Sequence, residues 1–217
     1  MDEQTPKPRR GCFFYGCLGF SILFLVVLIA SMVGYRVLKK TFNEFTDTRP
    51  MPFPAANLSP SQIDQVQKRI DDFRTAVREH NATQPLELSA DEINALISTN
   101  LDLQDFRGKI HVMIEGNQLK GLISVRMEDL GLPVFHGRYL NGTATFKLSF
   151  NDGFLRINPD MVLAKGRPLP AVYMDKIRKT NLAHDLNANP RAAAALQRLQ
   201  DIRVKEGKLI IMAKENK

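Results

Sequence analysis

Residues 109–128, KIHVMIEGNQLKGLISVRME, decide the fold class. Ile110, Val112 and Ile114 alternate with Lys109, His111 and Met113. After Gly116-Asn117, residues Leu119, Gly121, Ile123, Val125 and Met127 alternate with Lys120, Leu122, Ser124, Arg126 and Glu128. A period of two on either side of a Gly-Asn turn predicts a β-hairpin with one apolar and one wet face. Parallel strands are covered on both faces and read as continuous apolar runs, so this alternation belongs to an antiparallel sheet.

The pattern continues toward the C-terminus. After a Leu-Gly-Leu-Pro break and a short run at Val134 to Tyr139, residues Ala144, Phe146, Leu148 and Phe150 alternate with Thr143, Thr145, Lys147 and Ser149. Asn151-Asp152-Gly153 predicts a tight hairpin turn, from which Phe154 to Lys165 returns. Pro168 and Pro170 stop the sheet, and Ala171 to Lys179 reads as a helix. Asn189 is placed to cap another helix, with Pro190 at its first position and Ala193, Leu196 and Leu199 facing inward. Ile202 and Val204, the turn Glu206-Gly207, then Leu209, Ile211 and Ala213 predict a closing hairpin.

Helical signals precede the sheet. Ser59 and Gln62 form a capping box with Pro60 at the first helical position, and Ile63, Val66, Ile70, Phe73 and Val77 follow at 3-4-3-4 spacing. This stripe either covers the chain's own sheet or pairs with a second copy as a coiled coil, which makes a homodimer. Leu86 and Leu88 read as a short strand. Ser89 and Glu92 form a second capping box ahead of Ile93, Leu96 and Ile97.

Residues 11–35, GCFFYGCLGFSILFLVVLIASMVGY, carry no charge in 25 positions, and 13 of these are Leu, Ile, Val or Phe. Such a segment gains about 4 to 8 kcal/mol on insertion into a bilayer. A helix of this length spans the ~30 Å hydrocarbon core. Arg9 and Arg10 close it on one side and Arg36, Lys39 and Lys40 on the other, with Phe13, Phe14, Tyr15 and Tyr35 at the interfaces. No A-x-A-like site follows the apolar run, so an uncleaved signal-anchor is expected rather than a signal peptide. The expected organisation is a cytoplasmic tail at 1–10, a transmembrane helix at 11–35, a juxtamembrane spacer at 36–58 and an extracytoplasmic α+β domain at 59–217. The fold class is therefore α+β: one N-terminal transmembrane helix, then a curved antiparallel sheet packed on helices.

Net charge is +7, with six basic and two acidic groups in residues 1–40. The excess is a membrane flank. No basic run with interleaved aromatics occurs in the domain, so no nucleic acid partner is expected. Both cysteines, Cys12 and Cys17, lie at the membrane edge, about 140° apart on a helix, which disfavours a shared metal or an intrachain bridge. Phosphate-cradling glycine loops, GxSxG, HExxH and clustered Cys/His are all missing, and His80, His111, His136 and His184 are dispersed. The expectation is no enzyme, no catalytic residue, no metal site and no cofactor. His136 in Phe135-His136-Gly137-Arg138 sits near a strand end, and a structural or surface role is expected for it.

The order of signals from residue 86 resembles bacterial membrane-anchored families of unknown function with a tubular lipid-binding (TULIP-like) fold. The resemblance rests on LELSADEINALI (86–97), on the meander ending in GRPLPAVYMDKI (166–177), and on IRVKEGKLIIMAK (202–214). Its two short matches are Ser-x-x-Glu-Ile-Asn at Ser89 to Asn94 and Gly-x-Pro-Leu-Pro at Gly166 to Pro170. The resemblance implies a groove that shelters an acyl chain, lined from the apolar face of the sheet. Ile110, Val112, Ile123, Val125, Phe146 and Leu148 are its candidate ligand-binding residues. The competing reading gives that face to the stripe Ile63 to Val77 as a cover.

The functional expectation is a single-pass membrane protein that binds a lipid or apolar ligand near the bilayer, with the membrane itself as a partner. The alternative is a non-enzymatic envelope assembly or scaffold factor that meets an envelope protein through helix 59–80. An envelope hydrolase ranks last.

Overall fold

The computed structural model describes residues 12–81, 83–130 and 136–214. The expected tail 1–10 and the run Gly131 to Phe135 lie outside the described residues. The chain divides into two compact units, Met1–Glu44 and Phe45–Lys217.

The first unit is helix α1 (Cys12–Phe45), 34 residues. Its described stretch Ile22–Phe45 is long and apolar enough to cross a membrane, and no part of the apolar window is buried in protein. The helix continues past Tyr35 because RVLKKTFNEF (36–45) contains neither Gly nor Pro to stop it. At about 1.5 Å per residue it reaches roughly 51 Å, well beyond the ~30 Å hydrocarbon core.

The second unit is α+β. Helix α2 (Pro60–Glu79) starts at the Ser59–Gln62 capping box and ends at His80, whose φ of 59° places it in the left-handed region. Strand β1 (Leu86–Ser89) runs into α3 (Ala90–Thr99) through the second box, and a 3-10 turn (Leu101–Phe106) follows. Strands β2 (Ile110–Glu115), β3 (Gln118–Arg126), β4 (Tyr139–Asn151), β5 (Phe154–Ala164) and β6 (Arg167–Pro168) form an open antiparallel sheet in sequence order. Short helices α4 (Ala171–Ile177), α5 (His184–Ala188) and α6 (Pro190–Leu196) lead to β7 (Leu199–Lys205) and β8 (Lys208–Ala213). These two join β1 in a second antiparallel sheet of order β1-β8-β7. Leu199 pairs with Ala213 as the first residue of β7, rather than extending the preceding helix. The turns at Asp152-Gly153, Lys165-Gly166 and Glu206-Gly207 carry positive φ at both central residues. That geometry matches the twist of a two-residue hairpin.

One residue interrupts the alternation of β5. Thr145 pairs with Met161 but Phe146 pairs with Pro159, so Asp160 bulges out. Leu155, Ile157 and Pro159, and beyond the bulge Val162 and Ala164, consequently share one face with Ala144, Phe146, Leu148 and Phe150.

Asparagine side chains close both outer edges of the larger sheet. Asn94 Oδ1 accepts the Val112 N–H at 2.7 Å and its Nδ2 donates to the Val112 carbonyl at 2.8 Å. On β5, Asn187 Oδ1 accepts the Leu155 N–H at 3.1 Å and Asn181 Oδ1 accepts the Ile157 N–H at 2.9 Å. These amides occupy backbone groups that another chain would otherwise pair with.

Two apolar clusters fill the domain. One joins Val66, Phe73 and Val77 of α2 to Leu86, Leu88, Leu96, Leu155, Leu196, Leu199 and Ile202. The other joins Ala144, Phe146 and Val162 to Met174 of α4, with Ile110, Leu119, Ile123 and Ile177 packed against it.

Candidate functional site

The six residues expected to line a groove do share one face of the larger sheet, through the register Ile110↔Ile123 and Leu119↔Phe146. Helix α4 packs on part of that face, with Met174 and Ile177 among the neighbours of Phe146, Ile110 and Ile123. Leu148 joins the other cluster, and Val112 is buried at the edge held by Asn94. The stripe of α2 is likewise engaged: Val66 is 4% exposed, and Phe73 and Val77 are buried beside β1 and α3.

The opposite face is crossed by residues 46–53, a part of the expected spacer. Prolines 50, 52 and 54 lack N–H groups and bias the residues before them toward extended conformations, so this segment forms neither helix nor ladder. It is instead strapped to the sheet by long-range bonds. Asp47 exchanges both backbone hydrogen bonds with Tyr139, each at 2.8 Å. Thr46, 1% exposed, accepts from Arg138 Nε at its hydroxyl (2.6 Å) and from Lys165 Nζ at its carbonyl (2.9 Å). Lys165 also pairs with Asp47 Oδ1 at 2.9 Å.

Asn141 is the central clasp. Its Nδ2 donates to Asp47 Oδ2 (3.1 Å) and to the Arg49 carbonyl (2.8 Å). Its Oδ1 accepts from Ser124 Oγ (2.8 Å) and from the Met51 N–H (3.2 Å). Farther along, the Phe53 ring lies 6.1 Å from that of His111.

Between strap and strands lies a cleft of about 620 Å³, within the range that holds small ligands. Pro50, Met51 and Pro52 form one wall, and Thr143, Leu163 and Gly142 the other, with Arg49, Asp47 and Lys165 supplying charge. None of the six expected groove residues lines it. Gly142 is required where β4 meets β5, because a Cβ there would sit 2.1 Å from the Leu163 carbonyl oxygen.

A second cleft, about 550 Å³, is polar and flanks α2. Its two cations are paired: Lys208 Nζ lies 2.6 Å from Glu87 Oε2, and Arg69 contacts Glu92. The hydrogen bond and charge of Lys208 hold the Glu87 carboxyl below the usual carboxylate range, and Glu87 in turn raises Lys208. This cleft links β1 to β8 and leaves no unmatched cation among the groups named.

His136 is exposed, with Nδ1 2.6 Å from Glu128 Oε1. Among the described residues no group of three His, Cys, Asp or Glu side chains is placed to hold a metal ion. The strap and its cleft are what sequence reading missed. Their only local signal is the alternation of prolines directly after the apolar helix, which also fits a free spacer.

Comparison with known proteins returns no match to any family model, curated protein or solved structure.

Proposed function

We propose that this is a single-pass membrane protein whose domain binds a lipid or other apolar ligand beside the bilayer, without catalysing a reaction. The amino end faces the cytoplasm and the domain lies outside it. The tubular lipid-binding resemblance belongs to the same proposal. One observation carries it: the strap that walls a ligand-sized cleft begins one residue after the end of a helix apolar enough to span a membrane. The chain itself therefore tethers the cleft near any bilayer that holds the helix, since each residue extends at most ~3.6 Å.

The test is purification of the full chain from its host's membranes in mild detergent, then organic extraction and mass spectrometry. Lipid retained at about one per chain through extensive detergent washing supports the reading. A monodisperse chain that is lipid-free in repeated preparations overturns it.

A further inference from the structure

We infer that the cleft beneath the strap takes an anionic amphiphile, with its acyl chain against Pro50, Met51, Pro52 and Leu163 and its charged headgroup at Arg49. This rests on the lipid-binding reading above and narrows it in place and in charge. The cleft lies on the sheet face opposite the Phe146–Met174 cluster, so its apolar walls are not part of that core.

Charge decides the class of ligand. Two cations and one anion line the cleft, and Asp47 and Lys165 neutralise each other at 2.9 Å. Arg49 is the remainder. It is exposed, and among the described residues its guanidinium makes no ion pair. Only its carbonyl ties it to the sheet, through Asn141. A guanidinium presents a planar fork of donors suited to phosphate or carboxylate oxygens. Arg36, Lys39 and Lys40 near the helix end add cations that concentrate anionic lipid at the surface from which the ligand would come.

The experiment uses the full chain in detergent and native mass spectrometry. The probes are palmitoyl lysophosphatidylglycerol and palmitoyl lysophosphatidylcholine, which share an acyl chain and differ in net charge. Wild type is expected to prefer the anionic probe by roughly two- to five-fold, the effect of one partly exposed charge pair. Arg49→Gln, which leaves the strap's hydrogen bonds in place, is expected to level the two. Leu163→Gln is expected to weaken both equally, with circular dichroism confirming the fold.

Equal binding of both probes by wild type, or a preference that survives Arg49→Gln, overturns the headgroup assignment while leaving the lipid-binding reading standing. Failure of wild type to hold either probe overturns both. Displacement of the bound lipid by glycerol phosphate alone, at matched concentration, overturns the acyl-chain part and leaves a simple anion site.

Discussion

Asn94 holds Val112 as a neighbouring strand would. Its amide accepts the Val112 N–H and donates to the Val112 carbonyl, and Asn94 itself is 7% exposed. The residue ends the run Ser89 to Asn94, which the capping serine of α3 begins, and through these two bonds α3 is stitched to the edge of the sheet. Truncation strands a donor and an acceptor at once, each costing about 1–3 kcal/mol when buried without a partner. Asn94→Ala is expected to lower the melting temperature by roughly 4–24 °C, the product of about 2–6 kcal/mol for the two groups and the ~2–4 °C per kcal/mol of a domain this size. A melt within 2 °C of wild type would show that water replaces the amide.

The strap makes a separate prediction. Asn141 alone contacts Asp47, Arg49, Met51 and Ser124. The Met51 N–H has two acceptors, Asn141 Oδ1 at 3.2 Å and Ser124 Oγ at 3.1 Å, so in Asn141→Ala with Ser124→Ala the Asp47–Tyr139 bridge remains while the centre of the strap is released. Hydrogen exchange at the Met51 amide is expected to accelerate by about ten-fold or more, the equivalent of ~1.4 kcal/mol, with Asp47 changing less. Equal acceleration at both amides would mean that the strap opens as one piece.

Gly142 tests the cleft's floor. Gly142→Ala places a methyl group 2.1 Å from the Leu163 carbonyl oxygen, which is backbone and cannot rotate away. The expected cost is at least the ~1–3 kcal/mol of ordinary overpacking, read as a lower denaturation midpoint. The reverse outcome, an unchanged midpoint, would require β4 and β5 to separate without loss.

The Glu87–Lys208 pair gives a pH dependence. Because the folded pKa of Glu87 is depressed, its contribution is present above the unfolded carboxylate pKa and is lost as the pH falls through the folded value. The stability difference between wild type and Glu87→Gln is expected at neutral pH and should vanish in strong acid, where Glu87 is protonated in both folded and unfolded states. Denaturant melts across this range check it. A difference that grows on acidification would contradict the sign.

Orientation is open to direct labelling. Val172, 79% exposed, is a site for a reporter thiol that leaves the core untouched. Val172→Cys, with Cys12 and Cys17 replaced by Ser, is expected to react with a membrane-impermeant maleimide on intact spheroplasts. Labelling only after lysis would place the domain in the cytoplasm.

Local chemistry alone determined much of this protein. A long uncharged run, two capping boxes, period-two alternation and Xaa-Gly turns each act within a few residues, so they could be read in order along the chain. The apolar helix, α2, α3 and the antiparallel strands followed from them. The bulge at Asp160 was hidden, because one extra residue resets the alternation without altering composition. The cover of the sheet, shared by α4 and the smaller sheet's cluster, was hidden as well. So was the strap. Thr46 meets Arg138 across 92 residues and Lys165 across 119, and no local period encodes such bonds. Only folding brings those partners together, which is why the apolar helix was visible in the sequence and the cleft beneath the strap was not.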